Sequence, residues 1–157
     1  MLELSIPRCG EYRLHHLVLD VNGTLARDGT ILPPVAERLQ RIRGMLAIHL
    51  VSSDTYGRLD AIARDLGVPA VRLLPSESEP EQKAAFVRQL GPDTVVAIGN
   101  GANDAAMLRE AAIGIAVLGP DGLASEALAN ADLLVGSIAD GLELLLSPVR
   151  LIATLRR

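Results

Sequence analysis

The strongest constraint on the fold is an alternation of short, almost wholly apolar runs with stretches of helical periodicity. Apolar runs without polar interruption are typical of a parallel sheet that is covered on both faces. The predicted strands are Leu17–Leu19, Leu46–Val51, Ala70–Leu74, Val95–Ile98, Ile113–Val117 and Leu133–Val135. The predicted helices are Val35–Arg43, Arg58–Leu66, Glu81–Leu90, Asp104–Ala111, Leu123–Ala129 and Ile138–Leu146. The pattern predicts an α/β fold, a doubly wound, Rossmann-like parallel sheet with helices on both faces.

Local signals at the ends of these elements agree with that interpretation. Three of the predicted helices are followed by a helix-terminating glycine, namely Gly44, Gly67 and Gly91. Alternation of Leu2, Leu4 and Ile6 with polar residues indicates a further hairpin strand before the core. The chain has 157 residues with no repeat or long linker, so a single domain over residues 1–157 is expected.

Composition excludes several functional classes. The net charge is -4 and no basic run is present, which gives no electrostatic basis for binding nucleic acid or an anionic membrane. No stretch reaches the roughly 18 apolar residues of a membrane span, and the first residues carry charges where a signal peptide needs an apolar core. A single cysteine, Cys9, cannot form an intrachain disulfide. We therefore expect a cytoplasmic protein.

Polar residues with chemical potential follow three of the predicted strands. They are Asp20, Asn22 and Thr24 after the first core strand, Ser52–Asp54 after the next, and Asn100–Asp104 after a third. In a doubly wound sheet, ligands bind beyond the C-terminal ends of the strands, so these residues are expected to gather on one rim. Lys83 lies on the helix that leads into the third of these strands.

Each cluster has both a chemical and a structural interpretation. A carboxylate at a strand end, such as Asp20, can attack phosphorus and form an aspartyl phosphate, or it can simply cap a turn. The Ser52 hydroxyl can donate to a phosphoryl oxygen, or it can cap a helix.

Lys83 and the glycine-rich turn at residues 99–104 are also open to two interpretations. Lys83 is the sole lysine of a chain with fourteen arginines, and its compact charge suits a phosphoryl oxygen. A solvated surface lysine is the alternative. Asp104 can serve a magnesium ion or cap a helix. Gly99 and Gly101 also give the start of a dinucleotide fingerprint, but Asp104 stands where its third glycine would be.

The order and spacing of these clusters resemble the haloacid dehalogenase superfamily, which includes many phosphatases and the phosphorylation domain of P-type ATPases. The family motifs are D-x-D/T-G-T, a Ser or Thr after the second core strand, a Lys, and G-D-x-x-N-D. Here they stand as DVNGT, Ser52, Lys83 and GNGAND. The stretch from PEQKAAFVRQL to AAIGIAV is especially similar to the P-type ATPase hinge region. The resemblance covers about Leu17 to Val135, and the sole lysine falls on the family's Lys position.

The resemblance implies roles for individual residues. Asp20 is implied as the nucleophile, with Asn22 and Lys83 as its catalytic neighbours. Magnesium is the implied cofactor, and its implied ligands are Asp20, the backbone carbonyl of Asn22, Asn100 and Asp104. The implied phosphate-binding or loop-steadying residues are Thr24, Ser52, Ser53, Gly101 and Asn103.

Two residues depart from the family pattern. Asn22 stands where most of the phosphatases have an Asp that acts as general acid and base, a contribution of about 10²–10⁴-fold. Asn100 stands where an Asp usually binds magnesium directly, so magnesium binding should be weaker. The sequence therefore favours a slow magnesium-dependent phosphohydrolase. The alternative is a catalytically weakened domain with a regulatory or phosphate- or partner-binding role.

The distances between motifs leave no room for a cap domain. Between Asp20 and Ser52 only a flap around Arg27–Leu32 and one helix fit, and between Ser52 and Lys83 one helix and one strand fit. Capless members usually close their sites by oligomerising or act on large substrates. The resemblance therefore implies a homo-oligomer, a dimer or tetramer, acting on a phosphorylated small molecule or a phosphoprotein.

Overall fold

The computed structural model describes residues 1–25, 30–31, 33–55 and 57–157. Its strands are β1 (Leu2–Ile6), β2 (Gly10–Leu14), β3 (His16–Asp20), β4 (Ala47–Ser52), β5 (Ala70–Arg72), β6 (Val95–Gly99), β7 (Ile113–Val117) and β8 (Leu133–Val135). The helices are α1 (Pro33–Ile42), α2 (Leu59–Leu66), α3 (Glu79–Leu90), α4 (Ala105–Glu110), α5 (Ser125–Ala129), α6 (Ile138–Leu146) and α7 (Pro148–Leu155).

Six of the strands form one parallel sheet in the order β5-β4-β3-β6-β7-β8. The chain therefore builds outward from β3 through β4 to β5, and then returns to the other side of β3 with β6. The switch point of the sheet lies between β3 and β6, which is where such sheets bind their ligands. The predicted α/β class is confirmed, including the parallel strands.

Both faces of the sheet are buried because successive side chains of each strand point to opposite sides. Leu17 and Leu19 of β3 pack into a core with α1, α2, α6 and α7, whereas Val18 packs into a second core with α3, α4 and α5. All three side chains have no solvent exposure. The strand that ends at Asp20 is therefore held from both faces.

Helix α3 begins and ends with ordinary helix signals. Pro80 lies in its first turn, where a fixed φ favours the helix and no N–H is needed. Gly91 follows its last residue with a φ of 92°, a conformation that suits glycine. The result is a rigid element that carries Lys83 just over one turn from its start.

Several predicted boundaries need correction. The predicted helix over Asp104–Ala111 begins instead as a 3-10 turn at Ala102–Asp104 and continues as α4, and the predicted strand over Ala70–Leu74 ends at Arg72. The predicted hairpin strand is β1, which pairs antiparallel with β2. Helix α7 was not predicted.

The predicted flap and the expected absence of a membrane span can be compared only with the described residues. The flap expected around Arg27–Leu32 lies largely outside the described residues. Within the described ranges, no helix has both the length and the apolar character to span a membrane.

Candidate active site

The candidate site lies at the C-terminal edge of the sheet, beside the switch point. Asp20 is the last residue of β3, and it pairs in register with Val51 of β4, so Ser52 follows one residue further along. On the other side Leu19 pairs with Ile98, so Asn100 lies just beyond β6. The rim predicted from the strand ends is therefore formed by neighbouring strands.

Lys83 lies at the centre of this site. Its Nζ donates to Oδ1 of Asp20 at 2.8 Å and to Oδ1 of Asp104 at 2.8 Å. A third carboxylate, Oε1 of Glu79, lies 3.2 Å from the same nitrogen. The lysine side chain has no solvent exposure. A surface lysine, the structural alternative considered from sequence, is therefore wrong.

The buried charges of Asp20, Lys83 and Asp104 change the pKa values of this cluster. Burial, and then repulsion from Asp104, raises the pKa of Asp20 to about 7, although Lys83 and the Thr24 hydroxyl act in the opposite direction. Burial by itself would lower the pKa of Lys83, but the carboxylates of Asp20 and Asp104 outweigh it and raise that pKa. One ammonium stabilises two buried carboxylates incompletely.

Asp104 is fixed by two segments of the site, helix α3 and the turn at residues 99–101. Its Oδ1 accepts from Lys83, and its Oδ2 accepts the backbone N–H groups of Asn100 at 3.0 Å and Gly101 at 2.9 Å. Close packing accompanies these bonds, because a Cβ on Gly99 would lie 2.5 Å from Cγ of Asp104. The glycines of GNGAND therefore allow the carboxylate to reach both the backbone and Lys83.

Asn100 joins the first motif to a loop that follows β7. Its Oδ1 accepts from the Thr24 hydroxyl at 2.9 Å, and its Nδ2 donates to the carbonyl of Gly122 at 3.1 Å. The backbone N–H of Ala124 donates to the Asn100 carbonyl at 2.9 Å. An aspartate at position 100 would set a carboxylate against the Gly122 carbonyl, so the amide suits this contact.

Ser52 and Asn22 lie beside each other. Nδ2 of Asn22 donates to Oγ of Ser52 at 3.4 Å, and the backbone N–H of Asp54 donates to the same oxygen at 3.0 Å. Gly23 has a φ of 78°, which turns the backbone sharply after Asn22. The Ser52 hydroxyl therefore lies against the motif-one loop.

Ser53 and Asn103, the remaining predicted site residues, do not contact Asp20 or Lys83 by hydrogen bonds within the described part of the chain. The Ser53 hydroxyl pairs with the Thr55 hydroxyl at 3.5 Å. Asn103 donates through Nδ2 to Oε1 of Glu79 at 2.8 Å. Glu79 itself was missed from sequence, although its position four residues before Lys83 on the same helix is a recognisable pairing signal.

The donor set suits a hard cation such as magnesium. Asp20, the Asn22 carbonyl, the Asn100 amide oxygen and Asp104 offer oxygen ligands, and three carboxylates surround a single ammonium. Among the described residues, no three acidic, histidine or cysteine side chains converge on one metal position. Magnesium sites commonly use only one or two carboxylates together with substrate phosphate and water.

The raised pKa of Asp20 predicts how stability depends on pH. A carboxyl group with a higher pKa in the folded state makes folding less favourable as pH rises from 3.8 to about 7. In the presence of a chelator, the Asp20→Asn variant should therefore melt at a higher temperature than the wild type at about pH 8, and the difference should shrink toward about pH 4. Asp93→Asn, which changes an exposed residue in the 3-10 turn before β6, is the control. Equal melting temperatures of wild type and Asp20→Asn across this range would contradict the raised pKa.

Comparison with known proteins gives the family. The model of the haloacid dehalogenase-like hydrolases matches residues 1–112. The chain is 38% identical over 104 residues to "Copper-transporting ATPase 2" of Rhizobium meliloti, and the match covers 62% of this chain but only 12% of the ATPase.

Solved structures share the fold at low identity. The 3-deoxy-D-manno-octulosonate 8-phosphate phosphatase from Moraxella catarrhalis, crystallised with magnesium, phosphate and the sugar, superposes with a TM-score of 0.69 at 20% identity, covering 91% of this chain and 94% of that one. A phospho-aspartyl intermediate analogue of phosphoserine phosphatase gives a TM-score of 0.60 at 15% identity, covering 78% and 93%. The family match, the parallel sheet and the site at its switch point agree, and the chain belongs to the haloacid dehalogenase-like hydrolases.

Proposed function

We propose that the chain is a magnesium-dependent phosphohydrolase that forms an aspartyl phosphate on Asp20. The observation that carries this proposal is the contact between the buried Lys83 ammonium and the Asp20 carboxylate at the switch point of the sheet. Membership of a hydrolase family supports it. The phospho-aspartyl analogue and the magnesium- and phosphate-bound phosphatase among the structural neighbours support the same chemistry.

In the proposed reaction a carboxylate oxygen of Asp20 bonds to phosphorus as the ester oxygen leaves, and water then attacks phosphorus and releases phosphate. Lys83 and Ser52 hold phosphoryl oxygens. Magnesium, held by Asp20, the Asn22 carbonyl, Asn100 and Asp104, would supply positive charge at the phosphoryl group.

The remaining site residues have supporting parts in this proposal. Thr24 steadies the motif-one loop through Asn100. Gly101 and Asn103 hold the carboxylates of Asp104 and Glu79 beside Lys83, and their part in binding phosphate is proposed from the family resemblance. Ser53 follows Ser52 at the rim and is included as a phosphate-binding residue on sequence grounds alone. Asn22 cannot exchange a proton usefully, so protons pass to and from solvent and turnover is slow.

The substrate proposal follows from an open rim. Between Ser52 and Lys83 the described residues hold α2, β5 and the start of α3, which leaves no space for a cap. We infer a single capless domain that takes a phosphorylated small molecule or a phosphoprotein. A reducing, cytoplasmic setting, suggested by the lone Cys9, belongs to the same proposal.

A second candidate function rests on Asn100. The amide oxygen of Asn100 accepts from Thr24 and its amide nitrogen donates to Gly122. Asn100 therefore has a structural role that does not require catalysis. This favours a weakened domain that binds phosphate or a partner. Phosphate binding without turnover would support this second function over the first.

The first test is phosphate release from p-nitrophenyl phosphate in the presence of magnesium. We expect slow release by the wild type and none by Asp20→Asn, because the carboxylate oxygen is the attacking atom. The matched control is Asp93→Asn, which removes an exposed carboxylate at the opposite end of β6 and should retain activity. Release that survives in Asp20→Asn would show that the nucleophile is another group.

The second test restores the proton donor. We expect Asn22→Asp to raise turnover by about 10²-fold, the lower end of general acid–base contributions. Rapid-quench mass spectrometry should then show less phosphorylated Asp20 peptide than in the wild type. Asn130→Asp, at the end of α5, makes the same replacement away from the site. If Asn22→Asp folds normally and is no faster on several leaving groups, the missing acid is not what limits turnover.

The third test concerns assembly. Exposed leucines lie near the rim and the β8 edge, with Leu118 54% exposed and Leu134 49% exposed. We propose a homo-oligomer, a dimer or tetramer, in which a neighbouring copy covers the rim near Asp20. Light scattering at micromolar concentration should give a mass of two or four chains, and a monomer mass would contradict this.

A further inference from the structure

Glu79 and Asn103 form a contact at Lys83 that the proposed reaction does not use. Oε1 of Glu79 lies 3.2 Å from Nζ of Lys83 and accepts from Nδ2 of Asn103 at 2.8 Å. One anionic oxygen therefore accepts a hydrogen bond from the Asn103 amide and forms an ion pair with the Lys83 ammonium. Phosphoryl oxygens are bound by the same kinds of group, an ammonium and an N–H donor. The position of this oxygen therefore suits a phosphoryl oxygen.

Lys83 faces three carboxylates in this arrangement, two through hydrogen bonds and the third, Glu79, through an ion pair. An ammonium group carries three N–H donors. Its carboxylate neighbours among the described residues are Asp20, Asp104 and Glu79, at 2.8, 2.8 and 3.2 Å. A phosphoryl group held by Lys83 brings further negative charge to an ammonium that already faces three carboxylates, so we expect one of the three to be displaced.

Glu79 is the neighbour best able to leave. Its contact with Lys83 is the longest of the three, and its side chain is 29% exposed, against 6% for Asp20 and 0% for Asp104. Asp104 is also held by the backbone of Asn100 and Gly101. A Glu79 carboxylate that leaves Lys83 gains contact with solvent, and Lys83 keeps its hydrogen bonds to Asp20 and Asp104.

We infer that Oε1 of Glu79 occupies the phosphoryl-oxygen position between Lys83 and Asn103, and that an incoming phosphoryl group displaces it. This inference rests on the proposed function and adds a residue that sets the affinity for phosphate. Displacement removes the Glu79 ion pair from Lys83 and frees the side-chain amide donor of Asn103. The Glu79 carboxylate competes with phosphate for Lys83 and Asn103, so removal of this carboxylate strengthens phosphate binding.

The test measures binding of inorganic phosphate, with magnesium in excess, by calorimetry. Glu79→Gln and Glu79→Ala should each bind phosphate about fivefold more tightly than the wild type, the scale of a partly exposed ion pair. The matched control is Glu77→Gln, because Glu77 is exposed, lies two residues away and loses the same charge. Equal affinities in the wild type and the Glu79 variants, or an equal gain in Glu77→Gln, would overturn the inference.

A second measurement separates this inference from the proposed function. Lys83 is the sole lysine, so ¹⁵N-lysine labelling gives one side-chain signal. Saturating phosphate should shift that signal in the wild type. Phosphate binding with this shift, but with no effect of Glu79, leaves the proposed site intact and removes only Glu79 from it. No binding by any variant, with an unchanged Lys83 signal, overturns both.

A wild-type crystal structure with bound phosphate makes the test independent of how the variants fold. The Glu79 carboxylate should lie outside hydrogen-bond distance of Lys83, with a phosphate oxygen between Lys83 and Asn103. A Glu79 carboxylate still bonded to both residues while phosphate is bound would overturn the inference.

Discussion

The buried ammonium of Lys83 is the interaction on which the site depends. It joins three separate segments, the end of β3 through Asp20, the turn after β6 through Asp104, and the start of α3 through Glu79. A charge with no solvent exposure is costly unless it is paired, and removing one partner leaves an uncompensated buried charge. The same contacts that satisfy the lysine therefore bring the nucleophile and the glycine-rich turn together.

Much of this arrangement could be predicted from sequence because it follows from the sheet. Apolar runs identified the parallel strands, and parallel strands place their C-terminal ends on one edge. The proximity of Asp20, Ser52 and Asn100 follows from these two facts alone. Lys83 was identified because it is the one lysine in an arginine-rich chain.

Other parts could not be predicted, either because they depend on contacts distant in sequence or because the local sequence is typical of a different structure. The amide of Asn100 bonds to Gly122, 22 residues later, and no local pattern marks that contact. Glu79 lies in a serine-, glutamate- and proline-rich stretch that is typical of a loop, yet α3 begins there. Helix α7 is short, and it packs beside β1, which is distant in sequence. Its Leu151 is buried in the core, whereas Val149 is 80% exposed.

The strand order has a consequence for how the chain is made. During synthesis β3, β4 and β5 emerge first, and the other edge of β3 stays open until Val95–Gly99 has been produced. An unpaired apolar strand is a template for pairing with other chains. The nascent chain therefore passes through a stage in which one edge of β3, a central strand of the finished sheet, is unprotected and Asp20 still lacks Asp104. Asp104 is made just after β6 and before β7 and β8, so the three ion pairs of Lys83 can form before the sheet is complete.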